Sequence, residues 1–354
     1  MKTPKPIGPC SHSERKRFAV ATVARFASSS AVVFMAQCAL ALMGSSEMGV
    51  AATYPNKPIT LIVPTAAGGP VDLTSRIVAQ ETSRILGQAF VLENRPGANQ
   101  KIGLNVMLRS PKDGYTISAI SPASMILGPI VDPKMGYDPL KDITLITCAV
   151  NIPIVLIVNP SVPVQNIKEF AAYAKANPDK ISYGSGGPGT RLHFSSEGFF
   201  EKLGVHALHV PYNSSAPALT GLLSKQVNFL MPDLAGAKGQ IEAGKVTALA
   251  VLGNRRVDSL PNVPTLLESG VPEIKDYSYN TWVGFGLANG VPTEIVDKLR
   301  KAMIEALNTP KVQESFKQAG YQVVGSSLPE FQAQVEFELA YNKKLVESGA
   351  VKLE

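Results

Sequence analysis

Two short glycine segments carry the residues best suited to binding chemistry in this chain. The first, Thr65-Ala-Ala-Gly-Gly69, follows an apolar run from Ile59 to Val63 and leads into a helical pattern. The second, Gly184-Ser-Gly-Gly-Pro-Gly-Thr-Arg191, follows Lys180 to Tyr183 and leads into another. Glycine lets backbone amides come close to a bound group, and amides at a helix N-terminus favour anions because they lack intrahelical partners and sit at the positive end of the dipole. Thr65, Ser185 and Thr190 add neutral donors, and Arg191 is the only basic residue in either segment. Many neutral donors with little fixed charge suit a site that binds a carboxylate and releases it again.

The candidate ligand set is Thr65, Ala66, Ala67, Gly68, Gly69, Ser121, Ser185, Gly186, Gly187, Thr190, His193 and Asp233. His193 falls one turn into the second helix, where it is expected to face the ligand, and Asp233 ends a strand, where it could receive an amine or hydroxyl or cap the next helix. Asp72, in the first turn of the first helix, is expected to act as a cap or loop brace. A valine at Gly68 is expected to occupy the position of a carboxylate oxygen and leave the fold intact.

Other chemistries find less support. Gly184, Gly186 and Gly189 match the GxGxxG spacing of dinucleotide sites, but Pro188 is unusual there and no acidic residue ends a following strand for a ribose. His206 and His209 are three apart in a strand-like segment, hence on opposite faces, and no Cys/His/carboxylate cluster has metal-ligand spacing. No GxSxG is present, and Cys148 has no neighbouring base. No catalytic residue, metal or cofactor is expected.

Regular alternation of strands and helices must position these loops, and it predicts parallel α/β sheets. The first βαβαβ unit runs through strand Ile59 to Val63, a helix to Leu86 closed by Gly87, strand Phe90 to Glu93, a helix from Lys101 to Arg109 and strand Tyr115 to Ile120. Leu73, Ile77, Val78, Ile85 and Leu86 mark the expected buried face of its first helix. A second unit starts after Pro160, with a capping box at Asn166 to Glu169 and strands at Lys180 to Tyr183, His206 to Val210, Val227 to Met231 and Val246 to Leu252. A largely helical tail follows Val291, with Thr293 as an N-cap and a capping box at Ser327 to Glu330. The fold class is therefore α/β, with two doubly wound domains joined by two crossing segments, Pro153 to Val158 and Thr281 to Leu287. Domain 1 is 53–152 plus 280–354, and domain 2 is 153–279. Ligands of open sheets bind outside the carboxyl ends of strands, so facing loop ends would form a cleft.

Residues 1–52 read as an export signal cut near Ala52. They combine a basic start, an apolar stretch near Ala31 to Met43 that is too short to span a membrane, and a Val50-Ala-Ala52 end. Removing them takes away six of 34 basic and two of 28 acidic side chains, so the mature net charge is near +2. No dense basic block remains, and no nucleic-acid partner is expected. Cys10 and Cys38 leave with the signal, and Cys148 alone cannot form an internal disulfide.

A set of ordered motifs spans essentially all of the mature chain. They include Tyr54-Pro-x-Lys-Pro-Ile-x-Leu-Ile-Val-Pro64, Ala67-Gly-Gly-Pro-x-Asp72, Glu93-Asn-Arg-Pro-Gly-Ala98, Asp113-Gly-Tyr115, Tyr137-Asp-Pro-Leu-Lys-Asp142, Val210-Pro-Tyr212, Ser215-Ala-Pro-Ala-Leu219 and Leu260-Pro-x-Val-Pro-Thr265. In these the chain resembles the Bug family, the TctC-type solute-binding proteins of tripartite tricarboxylate transporters. The resemblance implies a periplasmic protein of type II binding-protein architecture whose two domains close on a carboxylate held between the glycine loops. Thr65 stands where the family usually has an aromatic residue, and Asn213-Ser214 replaces a common Lys-Gly. The first change adds a hydroxyl, and the second weakens the case for a second, strongly anionic ligand end.

The expected function is capture of a small carboxylate by a periplasmic monomer and its delivery to membrane transporter subunits, with no chemistry on the ligand. The sequence does not separate this from presentation of the closed form to a sensor kinase. A secreted enzyme is the alternative of another class, and it lacks a nucleophile, a metal set or paired carboxylates.

Overall fold

The computed structural model describes residues 54–353 except Asn254, Asp276, Ser278 and Asn280. The expected export signal, with Cys10, Cys38 and the cut near Ala52, lies outside the described residues.

In chain order, the first elements are β1 (Ile59–Val63), α1 (Pro70–Leu86), β2 (Phe90–Asn94), α2 (Lys101–Leu108), β3 (Thr116–Ile120), a π-helical turn (Ala123–Leu127) and α3 (Gly128–Val131). Next come β4 (Ile143–Ile152), β5 (Val155–Val158), α4 (Ile167–Ala176), β6 (Ser182–Ser185), α5 (Arg191–Leu203), β7 (Leu208–Pro211), α6 (Ser215–Leu223), β8 (Phe229–Leu230), α7 (Leu234–Glu242) and β9 (Thr247–Val251). The chain continues through β10 (Thr281–Ala288), α8 (Thr293–Leu307), α9 (Pro310–Gln318), β11 (Gln322–Val323) and α10 (Leu328–Glu347).

The strands form two sheets, ordered β11-β4-β10-β3-β1-β2 and β7-β6-β8-β5-β9. β1 pairs in parallel with β2 and β3, as its continuous apolar run requires. The expectation of wholly parallel sheets is corrected elsewhere. β10 is antiparallel to β3 and β4, and β5 is antiparallel to β8 and β9. The path of the chain explains this. β4 leaves the first sheet and β10 enters it, while β5 enters the second and β9 leaves it, so each such pair must run in opposite directions. Thr281 to Leu287, expected as a crossing segment, is instead a strand held between β3 and β4, and Val155 to Val158 belongs to the second sheet.

These directions decide where the loops point. β1, β2, β3 and β4 run the same way, as do β6, β7, β8 and β9. Both sets therefore end on the side where the chain passes from Ile152 to Val155.

The first helix departs from its expected face. Leu73 is 37% exposed, whereas Thr74, Ser75 and Thr82 are buried. Ser75 and Thr82 donate to the carbonyls of Val71 and Val78 one turn back, which lets hydroxyl side chains occupy an interior face. The helix ends at Gly87, whose φ of 67° is the left-handed cap geometry. Both expected capping pairs form, at Asn166 with Glu169 and at Ser327 with Glu330. Pro292, not Thr293, is the N-cap of α8.

Candidate functional site: a cavity between two helix starts

The first glycine loop leaves β1 beside the end of β2, because Val63 pairs with Asn94 in register. Gly103 of α2 lies against its start; a Cβ there would come within 2.7 Å of the Pro64 ring. Ala66, Ala67 and Gly68 are exposed, and Gly69 is half-buried. The Gly68 amide donates to Asp72 Oδ2 at 2.9 Å, so this amide is already used inside the loop. Asp72, only 3% exposed, also accepts from Arg76 and from Asn94 Nδ2, and Asn94 donates in turn to the Thr65 carbonyl. These donors, the Arg76 guanidinium foremost, hold the Asp72 carboxyl down at about 2. Thr65 Oγ1 is buried with no partner.

Gly68 has φ +87°, so the expected Gly68→Val test is corrected: valine would strain this left-handed turn as well as fill space. Gly69 has φ −82° and ψ 173°, which any residue adopts, and an added Cβ would meet nothing closer than the Ala66 carbonyl at 4.0 Å.

The second loop is braced by neutral groups. Ser185, fully buried, shares a 2.6 Å hydrogen bond with His209 Nε2 and accepts from the Gly187 amide at 3.0 Å. Thr190 donates to the Gly187 carbonyl at 2.6 Å, and the Gly189 amide donates to His193 Nδ1 at 3.2 Å. The His193 and His209 rings stack with centroids 4.2 Å apart. Burial, with His209 as a lesser cause, lowers His193 to about 4, and burial also lowers His209. His193 was expected to face the ligand. It is 2% exposed and supports the loop from behind, on the wall of a separate groove with His206, His209, Glu197 and Lys352.

Between the loop ends lies a cavity of about 290 Å³. Pro70 and Val71 at the start of α1, and Gly189, Thr190 and Arg191 at the start of α5, form opposite parts of its wall. Asn99, Ser121, Pro122, Ala123, Leu127 and Ile152 contribute more, and Thr281, Trp282 and Val283 close it from β10. Helices of 17 and 13 residues thus bring their first turns to one space, where the Val71 and Arg191 amides precede the first intrahelical bonds, made by Leu73 and Phe194. Of the candidate set, Ser121 and Thr190 lie on this wall. Ala66 to Gly69 lead directly into it, and Ser185, Gly186 and Gly187 stand one layer back.

Ser121 donates to Gln100 Oε1 at 3.0 Å, fastening a run of three left-handed non-glycine residues, Ala98, Asn99 and Gln100, with φ of 47°, 49° and 73°. Such strain is characteristic of binding loops. Asp233 begins α7, but its side chain makes no cap; Oδ1 sits 3.1 Å from Arg191 Nη2 as an ion contact without hydrogen-bond alignment. Trp282 is fully buried, with its indole N–H bonded to Glu338 Oε2 at 2.9 Å and its ring edge-on to Phe331.

The wall residues outside the candidate set are Pro70, Val71, Asn99, Pro122, Ala123, Leu127, Ile152, Gly189, Arg191, Thr281, Trp282 and Val283. Arg191 and Trp282 carried a signal, as the one cation of the two loops and the one tryptophan of the chain. Larger hollows of about 470 and 610 Å³ lie by Arg255 and Tyr321, away from both helix starts, and behind the second loop, where His193 of the α5 first turn lines the wall. Among the described residues no cluster of His, Cys, Asp or Glu could hold a metal, and no helix is long and apolar enough to cross a membrane. Cys148 is fully buried in β4, where desolvation pushes its thiol far above the usual range.

Comparison with known proteins agrees with this fold. The tripartite tricarboxylate transporter family receptor profile matches residues 74–350. A protein from the tcbD–tcbE intergenic region of Pseudomonas sp. strain P51 is 32% identical over 275 residues, covering 77% of this chain and 81% of its own. The structure of the periplasmic binding protein BugD is similar with a TM-score of 0.66 at 36% identity, covering 84% of this chain and 99% of that one. The R. palustris protein Rpa4515, solved with adipate, gives a TM-score of 0.70 at 32% identity, with 84% and 99% covered.

Proposed function

The chain belongs to the tripartite tricarboxylate transporter receptor family, and from that premise we propose that it is a solute-binding protein that captures a small carboxylate between its two glycine loops. The observation that carries this reading is the convergence of the α1 and α5 first turns on one cavity. Each supplies amide donors to an anion, and neither supplies a nucleophile or general base. The acid would be bound and released unchanged.

In this reading the two sheets define two domains, 53–152 plus 280–354 and 153–279. A ligand that touches both loops favours the closed arrangement, since only differential affinity for that state shifts the equilibrium. The protein acts as a periplasmic monomer after loss of residues 1–52 and hands its ligand to the membrane subunits of a transporter. Ala66, Ala67 and Gly69 approach the carboxylate from one side and Thr190 from the other, with Ser185, Gly186 and Gly187 bracing the second loop.

A thermal-shift screen of the mature protein against mono-, di- and tricarboxylates tests this. A ligand at 100 times its dissociation constant stabilises by about 2.7 kcal/mol, a shift of several degrees. At least one carboxylate is expected to produce it, and a flat response across the panel contradicts the reading.

A further inference from the structure

The charge balance of the cavity narrows the class of acid. Arg191 is the one charged side chain among the described wall residues, and it is already committed. Its Nη2 lies 3.1 Å from Asp233 Oδ1 and its Nη1 points to the Met231 carbonyl at 3.4 Å, with only 15% of its side chain exposed. The rest of the wall away from the helix starts is mainly apolar, built from Leu127, Ile152, Trp282 and Val283. A carboxylate at the helix starts is compensated by amides and dipoles. A second carboxylate at the far end would be desolvated against apolar side chains with no free cation to receive it, and an uncompensated buried charge is strongly unfavourable.

We infer that the cavity takes a monocarboxylate with an apolar body, and that the Arg191–Asp233 pair excludes dicarboxylates by keeping the only cation neutralised. At about 30 Å³ per water the cavity holds roughly ten waters, room for an acid of the size of those compared below. This inference rests on the carboxylate reading above and concerns only the far end of the ligand. It separates this chain from the relative solved with adipate, an acid charged at both ends.

Matched pairs of acids test it: hexanoate against adipate, and benzoate against terephthalate, titrated calorimetrically and by the fluorescence of Trp282, the only tryptophan. Hexanoate or benzoate is expected to bind at least tenfold more tightly than its doubly charged partner. Tighter or equal binding of adipate or terephthalate overturns the inference and leaves the carboxylate reading standing. Absence of binding by all four, together with a flat wider panel, overturns the carboxylate reading itself. Asp233→Asn, which frees the Arg191 charge without changing side-chain size, is expected to lower the adipate-to-hexanoate ratio of dissociation constants at least tenfold. An unchanged ratio overturns the role given to the pair.

Discussion

The loop after β1 is tied down by one ionised carboxylate, that of Asp72, whereas the loop after β6 is tied down by Ser185, Thr190 and the neutral imidazoles of His193 and His209. Both arrangements fix a glycine turn so that the following helix presents its first amides to the cavity. They differ in what acid does to them. Asp72 keeps its charge until about pH 2, held by Arg76, Gly68 and Asn94. His193 accepts a hydrogen bond from Gly189 through Nδ1, and a proton there would replace an acceptor with a donor and place a cation against a second imidazole 4.2 Å away. The two loops therefore lose their bracing under different conditions.

The largest expected effect breaks the first half. Asp72→Ala leaves the Gly68 amide without its acceptor, takes one of two acceptors from Asn94 Nδ2 and removes the carboxylate from Arg76. It should cost about 3 kcal/mol in urea unfolding, the upper end for charge-assisted hydrogen bonds to one buried carboxylate, since Arg76 itself is half-exposed. Carboxylate binding should fall with it.

Acidification tests the second half. The unfolded chain gains a proton at His193 near pH 6.5, while the folded chain gains it only near pH 4. Across that window the unfolded state binds more protons, so stability falls as pH drops, by on the order of 2 to 3 kcal/mol, and is level above it with respect to this group. His209, lowered by burial, acts in the same direction. Urea unfolding at pH 7.5 and 4.5 should show this loss. His193→Asn, which retains an acceptor for Gly189, should flatten it, whereas an equal loss in the variant would assign the titration elsewhere.

Smaller changes sharpen the comparison. Ser185→Ala removes the hydroxyl shared by His209 and Gly187 and should cost about 1 to 2 kcal/mol, with weaker carboxylate binding at unchanged first-loop geometry. Gly69→Val should leave unfolding stability within about 0.5 kcal/mol, because its backbone is already extended and the space is open, yet abolish binding by covering the helix start. Retained affinity in Gly69→Val would remove the first loop from the site.

Much of this architecture was legible because local patterns and tertiary structure agree. Continuous apolar strands, glycine at the strand-to-helix turns and capping pairs at Asn166 and Ser327 each have one local solution. The unread parts depend on chain direction and sheet order. Nothing local states that β10 returns antiparallel between β3 and β4, since that follows from where the chain leaves the other sheet. The Arg191–Asp233 contact arises because β8 lies beside β6, which brings together residues 42 apart in the chain. The inward faces of Ser75 and Thr82 are not legible in the sequence because hydroxyls that bond one turn back no longer behave as polar surface. His193 was assigned to the site on helical spacing, but its ring faces the loop's rear, where a stacking partner from β7 awaits it.

The central claim is that one carboxylate is held by both helix starts at once. A crystal structure of the mature protein with the acid that gives the largest thermal shift tests this most directly. Carboxylate oxygens are expected within hydrogen-bond distance of the Gly69, Val71 or Asp72 amide on one side and of the Arg191 amide on the other, beside Trp282. An acid seated on one loop alone, or in the hollow by Arg255 and Tyr321, would contradict it.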